Sequence, residues 1–299
     1  MPFNKNILLL FLTILLNLPF SLFADSIVSF TDLHFHSDFE RAEITKFENN
    51  AQPDYFALFL VADKKITPVD YYQFKDRIAT IITLFQKKSF ERLKEKKKVS
   101  KVYNQVQEQL MDKYVETAVF SNLFQKGEYQ CVTSSMLFTY VFNQLSIPYE
   151  INFEPGHVFL IAYPASAKVM VQTTNPNKGV FVYDNGFKSN FIQYLRKNKL
   201  ISKDEYENKS IDDLFTEYYL KTEVASLKEL AAMQYSNLAI QNLQKNEILE
   251  SFQYMLKAYY FDANTRNRFL LAFTLGLTME IKLLHRTSIM QTTLLCCIN

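Results

Sequence analysis

The residues best suited to chemistry in this 299-residue chain are one cysteine and one histidine near its centre. Cys131 is the only cysteine outside the last four residues, and His157 is the only histidine between positions 36 and 285. A thiol at a helix start becomes a nucleophile when an imidazole lies beside it, because the helix end and the imidazolium both favour the thiolate. The pair therefore predicts acyl transfer through a thioester, provided that the fold brings the two residues together.

The segments around these residues predict how they are positioned. Residues 131–145 are apolar almost all round, which is typical of a buried helix, and Ile147-Pro148 ends it. Four β-type runs separated by turn residues follow, at 149–153, 157–163, 169–174 and 180–183. We expect an antiparallel sheet packed on the helix that begins with Cys131.

A cysteine–histidine pair also needs a third polar side chain, which fixes the tautomer of the imidazole. Gln172 and Asn175, near the end of the third β-type run, are the two candidates. An amide orients the ring but does not stabilise the imidazolium by charge, so we expect weak activity with either residue. A carboxylate within reach of His157, such as Asp184 or Glu154, would favour an enzyme, whereas amides alone would favour a binding protein.

The same region resembles the transglutaminase-like superfamily of papain-fold proteins, in particular its secreted bacterial members. The resemblance covers roughly residues 100–185 and rests on three segments: Gly127-Glu128-Tyr129-Gln130-Cys131-Val132-Thr133, His157-Val158-Phe159-Leu160 and Gln172-Thr173-Thr174-Asn175-Pro176. It implies an α+β fold with a papain-like core, in which Cys131 is the nucleophile and His157 the base. The family's acidic third member falls at Gln172, where this chain has an amide, and Asn175 is the alternative third member.

Helical patterns flank this core on both sides. Residues 90–120 predict one or two long helices, because apolar residues recur every four positions from Val102 to Ala118. Residues 232–277 resemble tetratricopeptide repeats in the spacing of small and bulky residues, and the second repeat is incomplete, as in a truncated array. The expected division is 1–24 signal peptide, 25–126 N-terminal helical region, 127–201 transglutaminase-like core and 202–299 tetratricopeptide-like helical region.

The first 24 residues are typical of a secretory signal peptide, with Lys5, an apolar run and Ala24 before the cleavage point. We therefore expect an exported protein of the periplasm, cell envelope or extracellular space. No membrane association is expected unless the signal stays uncleaved. Because only one cysteine lies in the body of the chain, a disulfide framework is excluded.

Other classes of function find little support in the composition. A net charge of +2 without an aromatic and basic surface argues against nucleic acid as a partner. Glycine is too scarce, at five residues, to supply a phosphate-binding loop. His34 and His36 lack a third strong ligand nearby, so we expect no metal and no other cofactor.

Two functions from different classes remain. The first is a cysteine-dependent amide hydrolase or acyltransferase that acts on a peptide, protein or cell-wall substrate through a thioester on Cys131. The second is a catalytically weak or inactive transglutaminase-like binding module that holds a protein partner, in part through the tetratricopeptide-like region.

Overall fold

The computed structural model describes residues 28–49, 53–154, 156–176, 179–220 and 223–296, with side chains up to residue 281. The fold belongs to the predicted α+β class, with helices packed on both faces of one antiparallel sheet. The predicted signal peptide at 1–24 lies outside the described residues.

Two groups of strands form along the described chain. The strands are β1 (Lys113–Tyr114), β2 (Glu128–Tyr129), β3 (Tyr149–Glu154), β4 (His157–Ala162), β5 (Val169–Val171), β6 (Val180–Phe181) and β7 (Glu223–Ala225). Strands β1 and β2 form a short parallel pair, whereas the other five form a sheet in the order β6-β5-β4-β3-β7. Every neighbouring pair in that sheet is antiparallel, as predicted.

Helices fill the first half of the chain and the centre. After a 3-10 turn at Phe30–Asp32, they are α1 (Asp38–Asn49), α2 (Tyr55–Leu60), α3 (Pro68–Thr83), α4 (Lys88–Glu91), α5 (Glu95–Leu110), α6 (Asn122–Lys126) and α7 (Cys131–Gln144). Helix α7 is buried along almost its whole length and packs against strands β3 and β4, which agrees with its apolar sequence.

The second half of the chain is also mainly helical. Its helices are α8 (Asn185–Lys197), α9 (Lys203–Asn208), α10 (Ile211–Tyr218), α11 (Leu227–Gln244), α12 (Ile248–Phe261) and α13 (Thr265–Cys296). Helices α11 and α12 form a close hairpin, in which the buried Ser251 hydroxyl donates to the carbonyl oxygen of Ala239. Small residues at this crossing let the two helix backbones approach one another.

Two apolar clusters lie on opposite faces of the sheet. The larger one joins α7 and the inner sheet face to the N-terminal helices and to the α11–α12 hairpin. The smaller one lies between the outer sheet face and α8 to α10, and contains Phe159, Met170, Ile192 and Phe215. Residues on both sides of the predicted boundary between 201 and 202 contribute to this smaller cluster.

Three predicted elements differ in their bounds. The apolar residues that recur every four positions are buried at Val102, Val106 and Leu110 of α5. The helix ends at Leu110, however, and Tyr114 lies on strand β1, where it is 51% exposed. The cause is a long-range pairing, because the amides of Asp112 and Lys113 both donate to the carbonyl oxygen of Gly127. Local periodicity does not report such a pairing.

The other two differences concern the sheet. Strand β5 ends at Val171, three residues before the predicted end, and the chain then turns. Residues 223–225 form a fifth strand of the sheet, which is not among the four predicted runs, and pair with β3. Helix α11 begins at Leu227, where Ser226 and Glu229 form a capping box that was present in the sequence.

Candidate active site

Cys131 is the first residue of α7, so its sulfur lies at the positive end of a buried helix. The preceding residue, Gln130, caps this helix with its own side chain: Gln130 Oε1 accepts from the backbone N–H of Val132 at 2.8 Å. In return, the Gln130 backbone N–H donates to Thr133 Oγ1 at 3.0 Å. The Cys131 thiol donates to Gln130 Oε1 at 3.5 Å, so the cap also touches the sulfur.

A glycine sets the path of the chain into this helix. Gly127 ends α6 with a φ of 67°, a left-handed conformation that favours glycine. A Cβ at this position would lie 2.4 Å from Asp112 Oδ2, so a side chain is also excluded by packing. The turn leads directly through β2 into Cys131.

His157 opens β4 at the tip of the β3–β4 hairpin. Its register partner is Glu154, and the turn between them contains Gly156 with a φ of 84°. The imidazole is half-buried, and its ring stacks on Phe159 with the ring centres 6.0 Å apart. The hairpin therefore holds the ring at the end of the central strand, next to the start of α7.

Gln172 supplies the hydrogen bond that fixes the imidazole. Its Oε1 lies 2.6 Å from Nε2 of His157. An amide oxygen only accepts hydrogen bonds, so Nε2 carries the proton in the neutral ring. The other ring nitrogen, Nδ1, is then the one that can accept a proton from the thiol of Cys131.

The surroundings stabilise the protonated form of His157. Hydrogen bonding with Cys131 is the largest cause that raises the pKa of His157. Burial opposes it, while the bond to Gln172 and the charges of Cys131 and Glu154 add to the rise. The structure thus brings Cys131, His157 and Gln172 together in one site, and their catalytic role stays a prediction.

The alternative third members lie elsewhere. Asn175 is exposed in the turn after Gln172, and its carbonyl oxygen accepts from Tyr103. Asp184 caps helix α8, where its carboxylate accepts from the N–H of Phe187. Glu154 acts on His157 by charge, whereas the side chain that bonds to Nε2 of the ring is the amide of Gln172.

Two residues of the site were not predicted from the sequence. Gln130 belongs to the motif that precedes Cys131, but its capping role was not predicted, although its position directly before a helix start could have suggested a cap. Tyr114 lies near the thiol: burial is the main cause of its raised pKa, and the charge of Cys131 adds to it. Tyr114 reaches this place through the β1–β2 pairing, for which the sequence carries no local signal.

An open groove of about 430 Å³ lies between the elements that flank the site. Asp112, just before β1, and Pro176, just after Asn175, form two of its walls, and the rest comes from Asn104, Gln107 and Glu108 of α5 and from Met111 just after that helix. Neither Cys131 nor His157 lines this groove, so it adjoins the catalytic candidates rather than contains them. Its lining is mainly amide and carboxylate side chains.

The two N-terminal histidines take separate positions. His34 is exposed, whereas the His36 ring is buried against Tyr254, with ring centres 4.8 Å apart. Within the described ranges, no group of three or more His, Cys, Asp or Glu side chains is arranged to hold a metal ion. In the same part of the chain, no helix is both long and apolar enough to cross a membrane.

Comparisons with known proteins return no relatives for this chain. No family model matches it, and neither curated proteins nor solved structures give a match.

Proposed function

We propose that this chain is a transglutaminase-like, cysteine-dependent amide hydrolase or acyltransferase with a weakened catalytic site. The observation that carries the proposal is the set of contacts around His157, whose Nε2 is held by Gln172 while Cys131 raises its pKa. A lone structural cysteine would not need an oriented imidazole beside it.

The residues support the following reaction. Nδ1 of His157 takes the proton of the Cys131 thiol, and the sulfur attacks the carbonyl carbon of an amide. The backbone N–H of Cys131 at the start of α7 is the proposed donor to the oxyanion, because the N–H of Val132 is already bonded to Oε1 of Gln130. Tyr114, whose pKa the charge of Cys131 helps to raise, lies near the sulfur as a second proposed donor. The protonated imidazole then gives its proton to the leaving amine, and a thioester remains on Cys131. Water or a second amine attacks this thioester and releases the enzyme.

A peptide, protein or cell-wall peptide remains the proposed substrate class. The groove beside the site offers hydrogen-bonding side chains such as Asn104 and Gln107, which suit an extended polar chain. Export from the cytoplasm stays part of the proposal, on the grounds of the sequence of residues 1–24. The α11–α12 hairpin supports the tetratricopeptide-like interpretation of that region, with a protein partner as its proposed ligand.

A binding module without catalysis is the second candidate. The observation that favours it is the amide at Gln172, because a neutral partner stabilises the imidazolium less than a carboxylate does. In that case the groove beside the site would hold a peptide that the protein does not cleave.

Labelling of the thiol tests the proposal. The chain is treated at neutral pH with a peptide-based thiol electrophile, and mass spectrometry locates the modified residue. We expect fast modification at Cys131, and its loss in Cys131→Ser. Modification of Cys131 no faster than that of free cysteine under the same conditions would contradict the proposal, because a thiol without a neighbouring base reacts at that rate.

Gln172→Glu is expected to increase both the labelling rate and the turnover of amide substrates by at least about tenfold. A carboxylate keeps the hydrogen bond to Nε2 of His157 and adds a negative charge that stabilises the imidazolium. Rates of labelling and of peptide hydrolysis measure the effect.

The matched control is Asn175→Asp, which adds the same charge three residues away in the same turn. Because Asn175 is exposed, we expect a much smaller change. Equal gains from both variants would show a general field effect and would argue against Gln172 as the third member. Undetectable turnover in Gln172→Glu would favour the binding module.

A further inference from the structure

A chain of buried hydroxyl groups connects Gln172 to the helix that carries the thiol. Thr173 directly follows Gln172, is fully buried, and has its Oγ1 2.8 Å from Oγ of Ser134 in α7. The hydroxyl of Ser134 is itself 2.7 Å from the carbonyl oxygen of Gln130, at the cap of the helix. Ser135 adds a second hydroxyl 3.3 Å from that of Thr173.

A buried tyrosine holds the same turn from another side. The hydroxyl of Tyr103 donates to the carbonyl oxygens of Asn175 at 2.7 Å and Gln172 at 3.2 Å. The ring of Tyr103 stacks on Phe138 of α7, with ring centres 5.2 Å apart. A Cβ at Gly179 would lie 2.2 Å from the Tyr103 hydroxyl, so this glycine leaves room for the contact.

We infer that Thr173 is a positioning residue, which with Ser134 and Tyr103 fixes the amide of Gln172 against His157. The expected effect on the reactivity of the Cys131 thiol rests on the proposed function, whereas the expected effect on the tautomer of His157 does not. Thr173 contacts α7 while the side chain of its neighbour Gln172 reaches His157. Anchoring one of two adjacent side chains restricts the backbone of both.

The anchor matters because β5 ends at Val171, so Gln172 lies outside the strand bounds. Its backbone N–H still donates to the carbonyl oxygen of Gly179 at 2.7 Å, but no regular strand continues beyond it. The hydroxyl contact to Ser134 and the two bonds from Tyr103 therefore add to the bond from the N–H of Asn175 to the carbonyl oxygen of Gln172 in holding this turn. A shift would lengthen the 2.6 Å bond to Nε2.

Thr173→Val tests the inference, because it removes the hydroxyl and keeps the branched shape. Proton–nitrogen NMR of the His157 ring reports which nitrogen carries the proton. We expect the Nε2-protonated tautomer to dominate in the wild type and in Thr173→Ser. In Thr173→Val, the ratio of Nε2-protonated to Nδ1-protonated rings should fall about fivefold. A fivefold change corresponds to about 1 kcal/mol, the net value of one hydrogen bond. We expect the labelling rate of Cys131 to fall by a similar factor.

Two further variants make the test specific. Tyr103→Phe keeps the ring and removes the donor to the same turn, so it should shift the tautomer in the same direction. Thr139→Val is the matched control, because Thr139 is also fully buried in α7 and its hydroxyl donates to the carbonyl oxygen of Met136 at 2.8 Å. It lies about 12 Å along the helix from Cys131, at 1.5 Å per residue, and should leave the His157 ring unchanged.

The outcomes separate the inference from the proposed function. A tautomer that is unchanged in both Thr173→Val and Tyr103→Phe overturns the positioning role, even if Cys131 is reactive. A tautomer that depends on Thr173, in a chain whose Cys131 labels slowly, supports the positioning role and overturns the proposed catalysis.

Discussion

His157→Ala is expected to slow the labelling of Cys131 at neutral pH by at least about a hundredfold and to abolish turnover. The imidazole is the base that takes the thiol proton, and general bases contribute about 10² to 10⁴ in rate. The raised pKa of His157, caused first by its bond with Cys131, shows that the two groups interact. Mass spectrometry of the labelled chain over time measures the rate at Cys131 alone.

His34→Ala is the matched control for that prediction. His34 is an exposed histidine whose ring lies 5.8 Å from that of His36, in the N-terminal segment rather than in the site. We expect its replacement to leave the labelling rate unchanged. Equal rates in the wild type and His157→Ala would mean that the imidazole does not act on the thiol.

Lys257→Met is expected to destabilise the folded chain by about 3–5 kcal/mol, the usual cost of removing one partner of a buried ion pair. Lys257 Nζ lies 2.7 Å from Glu40 Oε1, and both side chains are 0% exposed. Burial is the main cause of the lowered pKa of Lys257, and the charge of Glu40 opposes it. Removal of the lysine leaves a carboxylate without its cation in the core. Urea denaturation measures the free energy of unfolding.

The double variant Glu40→Gln with Lys257→Met should recover part of that loss, because it removes both charges together. The backbone N–H of His36 donates to Oε2 of Glu40 and the Tyr235 hydroxyl donates to Oε1, so the amide oxygen of a glutamine can keep the bond from His36 while its NH2 group donates to the hydroxyl oxygen of Tyr235. Asp212→Asn is the control at an exposed ion pair, where Asp212 is 56% exposed, and should cost at most about 1 kcal/mol. Equal losses in Lys257→Met and Asp212→Asn would contradict the account.

The sequence predicted the part of the fold whose signals are local. The apolar run after Cys131 gave the buried helix, and alternating runs with turn residues gave four of the strands in the sheet. The contact between Gln172 and His157 was also expected, because the resemblance to the transglutaminase-like superfamily places the third member at Gln172. Local patterns alone left Gln172 and Asn175 as equal candidates.

Long-range contacts account for what was missed. The pair of Glu40 and Lys257 joins residues 217 positions apart, so no local pattern in the sequence signals it. The helix that ends at Leu110 does so because β1 pairs with β2. Tyr114 enters the site through the same pairing, so a local pattern could not place it near Cys131.

The pKa of His157, measured by NMR titration of its ring protons, tests the central claim most directly. If Cys131, His157 and Gln172 form one site, the midpoint should lie above the usual value of about 6.5. It should fall in Cys131→Ala, because hydrogen bonding with Cys131 is the largest cause of the rise. A midpoint at or below about 6.5 that does not move in Cys131→Ala would contradict the proposed site.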